Sequence, residues 1–330
     1  MQLVATTPGL YPLPDDAKER LSDLKGHQKG DLIGGDEDEQ IVEVYDEVRA
    51  DLVATQREAG LDRIVEGQAR WDDMLAHPLA VHDSVETGGI VRYYDNNNFY
   101  RDPIVRGDLD FDGDMAADLE AAADLTENLQ AVVPGPYTLA ALATDEHYGD
   151  EAAFLDAMAE FLVGEVEAFP SVETLFVLEP SLVTDPPEEG LDARASEAID
   201  AVATAIDADV VVQTYWGSLT ETVHAHLLDA DVDAIGYDFV TDHEDSLANI
   251  AEYGTKDDVA LGIVDGQNTL VEEPETILER VEWIDQQTPP AQDFDTVYLT
   301  SNTELFYLPV NRFEEKLDAL ATAAERGVEE

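Results

Sequence analysis

Short apolar segments rich in β-branched residues alternate with longer amphipathic segments along almost the whole chain. The apolar segments are nearly continuous in apolar residues, which is typical of strands buried on both faces of a parallel sheet. We predict eight such strands at 3–9, 63–67, 131–135, 174–180, 209–216, 233–240, 258–266 and 296–302. Eight alternations favour a closed (β/α)8 barrel over an open doubly wound sheet, so we predict an α/β fold of the TIM-barrel class.

The segments between the strands carry helical periodicity, most clearly at 41–60, 151–169 and 274–284. Turn and cap residues support this assignment. Gly60 follows one helical pattern directly, and Ser196 and Ser218 stand near the expected starts of two others.

The connection after the second strand, from Trp71 to Asp114, is too long for an ordinary strand–helix loop. Residues 88–105 within it alternate in polarity and contain a run of asparagines. We therefore predict a β-hairpin insertion that turns at Asn96–Asn98 and lies across the mouth of the barrel. The chain has no evident linker or long repeat, so we expect one domain over 1–330.

The charge of the chain is far from balanced. It has 75 acidic and 17 basic residues, for a formal net charge of −58. Self-repulsion at this density destabilises a compact fold unless salt screens it, so we interpret the composition as halophilic adaptation. The chain lacks the basic patches that bind phosphates, so nucleic acid is not an expected partner.

Several classes of site and location are excluded by what the sequence lacks. Without cysteine there is no disulfide, no thiolate catalysis and no cysteine-ligated zinc. The glycine-rich dinucleotide and P-loop motifs are also missing. No run of apolar residues is long enough to span a membrane, and the first residues do not form a signal peptide. We expect a soluble cytoplasmic protein that does not interact with membranes.

Catalytic groups of such barrels lie where the strands end at their carboxyl side. The side chains expected there are Tyr11, Gln68, Tyr137, Glu179, Gln213, Tyr215, Trp216, Asp238, Asp265, Asn268 and Asn302. The three carboxylates, Glu179, Asp238 and Asp265, are the candidate catalytic acids and bases. The aromatic and amide side chains are candidate substrate contacts and suit a planar polar ligand better than a phosphate. The alternative is that about half of the set only closes the barrel mouth.

The predicted hairpin adds four candidate substrate contacts: Arg92, Tyr94, Asn96 and Asn97. An arginine presents a rigid fork of donors that matches a carboxylate. The alternative for the arginines is local ion pairing with Asp95 and Asp102.

The histidines do not form a recognisable metal motif. His224 and His226 are two apart on a predicted helix, so they point to different faces. We expect both to lie on the surface or to be satisfied within the fold, and we expect no metal ligands in this chain.

Several segments, taken in order, resemble the cobalamin-independent methionine synthase family. They are TTPGLYPLP (6–14), RYYDNNNFYRDPIV (92–105), VPGPYTLAAL (133–142), LEPSL (178–182), QTYWGSL (213–219), GIVDGQN (262–268) and SNTELFYLPVNRFEEKL (301–317). The resemblance covers nearly the whole chain and is carried by the ordered set of motifs.

The resemblance implies methyl transfer from a 5-methyltetrahydropteroyl or folate donor to homocysteine. Members of this family usually contain two related barrels, of which the C-terminal one holds zinc and homocysteine and the N-terminal one holds no zinc. This chain is more similar to the N-terminal copy. Where the zinc-bearing barrel has His-x-Cys, it has Gln213-x-Tyr215. At the other ligand positions it has Tyr237 or Asp238, and Asn302 or Thr303.

The resemblance therefore leaves three functions open. The chain is a stand-alone N-terminal-type barrel that works with a separately encoded zinc-bearing barrel, or a metal-free methyltransferase or lyase of the same superfamily, or a non-catalytic regulatory subunit. In the first case the methyl-pterin or folate donor is a substrate, zinc belongs only to the partner, and this chain binds no cofactor.

Overall fold

The computed structural model describes residues 1–24, 38–71, 75–91, 100–111, 113–289 and 292–328. The strands are β1 Gln2–Ala5, β2 Ile64–Val65, β3 Val85–Val91, β4 Tyr100–Val105, β5 Leu129–Pro134, β6 Thr144–Asp145, β7 Thr174–Leu178, β8 Asp209–Gln213, β9 Ala234–Asp238, β10 Asp258–Val264 and β11 Thr296–Ser301. The helices are α1 Asp15–Leu24, α2 Glu39–Ala59, α3 His77–Ala80, α4 Asp114–Ala123, α5 Pro136–Leu142, α6 Glu151–Glu167, α7 Ser181–Thr184, α8 Leu191–Ala203, α9 Glu221–Asp229, α10 His243–Tyr253, α11 Pro274–Gln287 and α12 Val310–Val328.

Eight strands form one parallel sheet in the order β1-β11-β10-β9-β8-β7-β5-β2. Successive strands of the chain are neighbours in this sheet, and helices separate them in sequence. The sheet curls until its two end strands approach each other. Their closeness is shown by the amides of Asp62 and Arg63, which both donate to the carbonyl of Ala5, at 3.0 and 3.3 Å. The predicted α/β fold with a curled parallel sheet of the TIM-barrel kind is confirmed, and each of the eight predicted segments contains or overlaps a strand of this sheet.

The interior of the curled sheet is filled by side chains from opposite strands. Phe176 of β7 and Tyr298 of β11 meet with ring centroids 6.2 Å apart at 88°. Every residue of β7 is buried, as the continuous apolar pattern predicts for a strand covered on both faces.

The helix ends agree with the sequence at one position and differ at others. Gly60 ends α2 with φ of +90°, the left-handed conformation that favours glycine. Ser218 is not the cap of α9, because the side chain of Thr220 accepts the amide of Val223 there. Ser196 lies inside α8, where its hydroxyl donates to the carbonyl of His226 at 2.7 Å.

A second sheet has three strands. Two of them, β3 and β4, lie between β2 and β5 in sequence, and the third, β6, follows β5. β3 and β4 pair antiparallel, from Val85 opposite Val105 to Val91 opposite Tyr100, and β6 adds to β4 in parallel. The residues that join β3 to β4, including the predicted turn at Asn96–Asn98, lie outside the described residues. The position of the hairpin across the barrel mouth stays a prediction, and so does the single-domain assignment for 1–330.

Candidate functional site at the carboxyl ends of the strands

Asp238, the last residue of β9, is fully buried and joins three loops of the barrel mouth. Its Oδ1 accepts the amides of Val240 and Thr241, at 3.0 and 2.8 Å, and Nδ2 of Asn302 at 3.1 Å. Its Oδ2 accepts the amide of Trp216 at 2.9 Å. All four partners are N–H donors, so both oxygens of the Asp238 side chain act as acceptors.

The residues that follow β8 are packed tightly beside this carboxylate. The rings of Tyr215 and Trp216 meet edge to face, 4.8 Å apart. Trp216 has φ of +69°, a left-handed conformation that is unfavourable for an aromatic residue. Its amide is the one that Asp238 binds, so the contact holds the loop in this strained shape.

Gln213 is buried at the end of β8 and lies against Gly236 of the neighbouring strand. A side chain at Gly236 would overlap the Gln213 amide, so the glycine makes room for it. Gln213 donates from Nε2 to the carbonyl of Thr214 at 2.9 Å. Its Oε1 has no hydrogen-bond partner among the described residues.

Glu179, directly after β7, is bound by the residues that begin α5. Its carboxylate accepts the amides of Tyr137 and Thr138, at 3.0 and 2.7 Å, and the hydroxyl of Thr138 at 2.7 Å. Burial raises the pKa of Glu179 to about 7, and these hydrogen bonds offset part of the shift. Gly135 permits the approach, because a Cβ atom there would overlap the carboxyl group.

A further carboxyl group of the mouth, Glu304, was not among the predicted site residues. It is 1% exposed and lies three residues beyond the end of β11. Burial raises the pKa of Glu304 to about 7, and the neighbouring Tyr215 side chain counters part of the rise. The sequence signal that indicates it is its distance from the strand end, just beyond Asn302.

Three of the predicted substrate contacts use their polar groups within the fold. The hydroxyl of Tyr11 bonds Thr7 at 2.6 Å and Gln56 at 3.1 Å, and its ring packs on Phe313. Gln68 accepts the amide of Leu10 through Oε1 at 2.7 Å. The hydroxyl of Tyr137 donates to the carbonyl of Asp185 at 2.6 Å. These side chains shape the mouth loops, as the alternative reading of the strand ends expected for part of the set.

A buried ionic network that the sequence reasoning missed supports the end of β2. Arg49 of α2 donates to Glu66 at 3.1 Å and to Asp118 of α4 at 2.7 Å. The other oxygen of Glu66 accepts the amide of Gln68 at 2.6 Å. Burial raises the pKa of Glu66 to about 7, and the nearby Asp118 adds to the rise.

Asp265 and Asn268 do not belong to the cluster around Asp238. They line a separate cavity of about 420 Å³ on the outer flank of the mouth, which they share with Phe239 and Trp283. Asp265 accepts the amides of Gln267 and Asn268 through Oδ1, at 2.9 and 3.1 Å, and so closes its own loop.

The four candidates in the hairpin, Arg92, Tyr94, Asn96 and Asn97, lie outside the described residues. Of the two histidines on α9, His224 is buried and its Nε2 lies 2.8 Å from the hydroxyl of Tyr237. His226 is partly exposed and lies 3.7 Å from a carboxylate oxygen of Asp192. The position of His226 agrees with the sequence interpretation. His224 is satisfied only in part, because its Nδ1 is buried and has no hydrogen-bond partner among the described residues.

The residues of the mouth do not fit a zinc ion. Gln213 and Asn302 offer amides and Tyr215 a phenol, whereas zinc prefers thiolate, imidazole and carboxylate ligands. The Asp238 carboxylate, which lies beside them, already accepts four hydrogen bonds. Over the described ranges, no three or more histidine, aspartate or glutamate side chains form a group that could hold a metal ion. In the same ranges no helix is both long and apolar enough to cross a membrane.

Solved structures with this architecture include two methionine synthases. The structure of a B12-independent methionine synthase from Shewanella sp. W3-18-1, in complex with selenomethionine, aligns over 99% of this chain and 97% of that one, with a TM-score of 0.77 and 16% identity. A putative vitamin-B12-independent methionine synthase from Listeria monocytogenes aligns over 99% of both chains, with a TM-score of 0.69. At these identities the likeness shows the fold.

Sequence relatives carry the same family name. A methionine synthase from Saccharolobus solfataricus is 22% identical over 87% of this chain and 85% of its own length. A 5-methyltetrahydropteroyltriglutamate–homocysteine methyltransferase from Ralstonia pickettii is 27% identical over 82% of this chain but only 38% of its own length. Residues 82–289, more than half of the chain, match the model of the cobalamin-independent synthase N-terminal domain. The chain therefore belongs to the cobalamin-independent methionine synthase family.

Proposed function

We propose that this chain is a methyltransferase component of methionine biosynthesis that binds a 5-methyltetrahydropteroyl or folate donor and acts with a separate zinc-bearing barrel. The observation that carries the proposal is the donor set around Asp238. Gln213, Tyr215 and Asn302 hydrogen-bond and stack but offer nothing to hold a metal-bound sulfur. On the partner, zinc would keep the homocysteine sulfur in its nucleophilic thiolate form.

The mouth of this chain offers an aromatic surface to a planar donor. Trp216 is partly exposed beside Asp238, and Phe306 and Tyr307 follow β11 with 38% and 41% of their surface exposed. A pterin ring would stack on such side chains and lose its contact with water. Arg92 and Tyr94 of the predicted hairpin are the candidates to bind the polar end of the donor.

Methyl transfer breaks a nitrogen–carbon bond of the donor and forms a sulfur–carbon bond, and the departing nitrogen requires a proton. Asp238 is poorly suited to supply it, because its oxygens accept N–H donors on every side. Glu179 and Glu304 are buried carboxyl groups whose pKa values of about 7 let them hold a proton near neutral pH. We assign the proton to Glu304 first and to Glu179 second, because the oxygens of Glu179 already accept three donors within the fold.

The deciding experiment is a methyl-transfer assay in molar potassium chloride with homocysteine and 5-methyltetrahydrofolate as the substrates. The chain is assayed alone and with the zinc-bearing barrel of the same organism, and methionine is measured. We expect methionine only in the mixture. Methionine from the chain alone, or one tightly bound zinc per chain, would contradict the proposal. Complex formation without any change in rate would identify a regulatory subunit instead.

Variants separate donor binding from proton supply. Arg92→Ala or Tyr94→Ala is expected to weaken donor binding without a change in melting temperature. Glu304→Gln and Glu179→Gln are expected to lower the rate at saturating donor and to change its pH profile. Glu197→Gln, an exposed substitution on α8, is the matched control and should leave both quantities unchanged.

The raised pKa of Glu179 also favours a second candidate function, a metal-free methyltransferase or lyase of the same superfamily. In that case Glu179, Asp238 or Asp265 would exchange protons with the substrate directly. Activity of the zinc-depleted chain without a partner, lost in Glu179→Gln, would support this candidate over the first.

A further inference from the structure

The flank cavity of about 420 Å³ lies between the loops that follow β9 and β10 and helix α11. Its floor is apolar, because Ile263 and Ile284 are each 1% exposed and Phe239 is 8% exposed. Trp283 and Leu270 form its sides. The groups that bind within the barrel mouth, Asp238 and Glu304, are not part of its lining.

The sides of this cavity are unusually apolar for the surface of so acidic a chain. Trp283 is 41% and Leu270 72% exposed, and both face one cavity. Over the described ranges only eight large apolar side chains are exposed, and these are two of them. Exposed apolar surface next to a formed cavity indicates a ligand that covers it.

Three charged side chains line the same cavity: Arg280, Asp265 and Glu272. The guanidinium of Arg280, on α11, donates one N–H to the carbonyl of Ile263. Its nearest carboxylate is Glu272, whose Oε1 is 3.9 Å away, beyond hydrogen-bond distance. Glu272 is itself bound by the buried Lys316, whose Nζ lies 2.6 Å from its Oε2. The Arg280 side chain is 42% exposed and makes only this long ion pair with a carboxylate of the described residues, so its other N–H donors are available to an anion that enters the cavity.

Of the two carboxylates, Glu272 is engaged by Lys316 and by the amide of Asp265, so Asp265 supplies the negative charge that is left for a ligand. Its Oδ1 is used by the amides of its own loop, and its Oδ2 makes no hydrogen bond to a described residue. A cavity with a carboxylate, a guanidinium and an apolar floor is complementary to a molecule that carries an ammonium, a carboxylate and an apolar group together.

We propose that the flank cavity binds a free α-amino acid with an unbranched apolar side chain, separately from the barrel mouth. Arg280 binds the α-carboxylate through its fork of N–H donors, and Asp265 binds the α-ammonium. The side chain lies on Ile263 and Ile284 beneath Trp283. The proposal does not depend on the methyl transfer proposed above.

Titration calorimetry of the complete chain in molar potassium chloride tests the proposal with five probes: L-methionine, L-norleucine, L-methionine methyl ester, N-acetyl-L-methionine and L-serine. We expect L-methionine and L-norleucine to bind alike, because both fill the apolar floor. The ester lacks the carboxylate charge and the N-acetyl compound lacks the ammonium. Each of these two compounds is expected to bind more weakly than L-methionine, on the order of tenfold or more. L-Serine is expected to bind weakly, because its side chain leaves the floor empty.

Three variants assign the binding to this cavity. Arg280→Gln and Asp265→Asn should each lower the affinity for L-methionine on the order of tenfold or more, since each removes one charge-assisted contact. Asp265→Asn keeps the Oδ1 acceptor that its loop needs. Arg326→Gln is the matched control, because Arg326 is similarly exposed and pairs with Glu275 on the surface. It should leave the affinity unchanged.

The proposal is overturned if L-methionine does not bind, or if the ester and the N-acetyl compound bind as well as L-methionine. It is also overturned if Asp238→Asn abolishes binding while Arg280→Gln does not, which would place the amino acid in the mouth. Displacement of L-methionine by 5-methyltetrahydrofolate, with Arg280→Gln weakening only the folate, would assign the cavity to the methyl donor instead. Failure of the methyl-transfer assay has no bearing on these titrations.

Discussion

The amide of Trp216 donates to the carboxylate of Asp238 across 2.9 Å, so the end of one strand holds the strained backbone that follows its neighbour. Two residues 22 apart in sequence thereby fix the shape of the mouth, and a third loop joins them through Asn302. The arrangement depends on a group that accepts hydrogen bonds at both oxygens.

Asp238→Asn is expected to destabilise the fold, because the new amide nitrogen would face the amide of Trp216, donor against donor. A buried group left unpaired in this way costs about 1–3 kcal/mol. Urea unfolding at fixed potassium chloride measures the change. The exposed Glu197→Gln should stay within about 0.5 kcal/mol of the parent. Equal stability of Asp238→Asn and the parent would show that the loop does not need this acceptor.

Glu304 is expected to make stability fall as pH rises. Its folded pKa of about 7 lies above the ordinary value of 4.5, so between these values the unfolded chain ionises and the folded one does not. The full penalty applies above about pH 7, is absent below about pH 4.5, and is on the order of 3 kcal/mol. The free energy of unfolding of Glu304→Gln, measured at constant salt, should therefore increase relative to that of the parent as pH rises from 4.5 to 8. A difference that does not vary with pH would contradict the assignment.

His224 is expected to act in the opposite direction. Burial lowers its pKa to about 4 from 6.5, so as pH falls through this interval only the unfolded chain takes up the proton. The stabilisation lost by pH 4 is at most about 3 kcal/mol. In His224→Gln the free energy of unfolding should fall less at low pH, which is measured as its difference from the parent at each pH.

Gly135 and Glu179 should be coupled in a double-mutant cycle. The backbone of Gly135 is extended, with φ −76° and ψ 161°, so alanine is unfavourable there only because its Cβ would overlap the Glu179 carboxyl. Gly135→Ala should cost about 1–3 kcal/mol. In the Glu179→Ala background the cost should largely disappear. Gly89→Ala, where a Cβ meets nothing within 4 Å, is the control. Additive effects would mean that the two residues do not compete for space.

Stability is also expected to fall when salt is removed. The net charge of −58 repels itself over a Debye length that grows from about 3 Å at 1 M to about 30 Å at 0.01 M. Melting temperatures should therefore decrease as potassium chloride is dialysed away. Sucrose at equal osmolality should not restore them, since it screens no charge. A melting temperature independent of salt would contradict the halophilic interpretation.

The barrel strands could be predicted because burial on both faces makes each of them continuously apolar, as β7 is. The site could be predicted only in part. Tyr11 follows a strand as a mouth residue would, but the fold brings Gln56 from α2 to its hydroxyl and makes it a core residue. Glu304 was missed because its burial results from packing around β11, and its position three residues beyond the strand end does not by itself distinguish it in a chain with 75 acidic residues.

The two end strands of the sheet, β1 and β2, meet through a few backbone hydrogen bonds instead of a full ladder. The last helix, α12, lies over this seam, with Gly327 against Leu3 and Ala321 against Gly60. The two end strands are therefore not covered on this side until α12 has been made and has packed on them. We therefore expect the seam to be the last part of the barrel to close during synthesis, because it waits for a helix that follows all eight strands of the sheet.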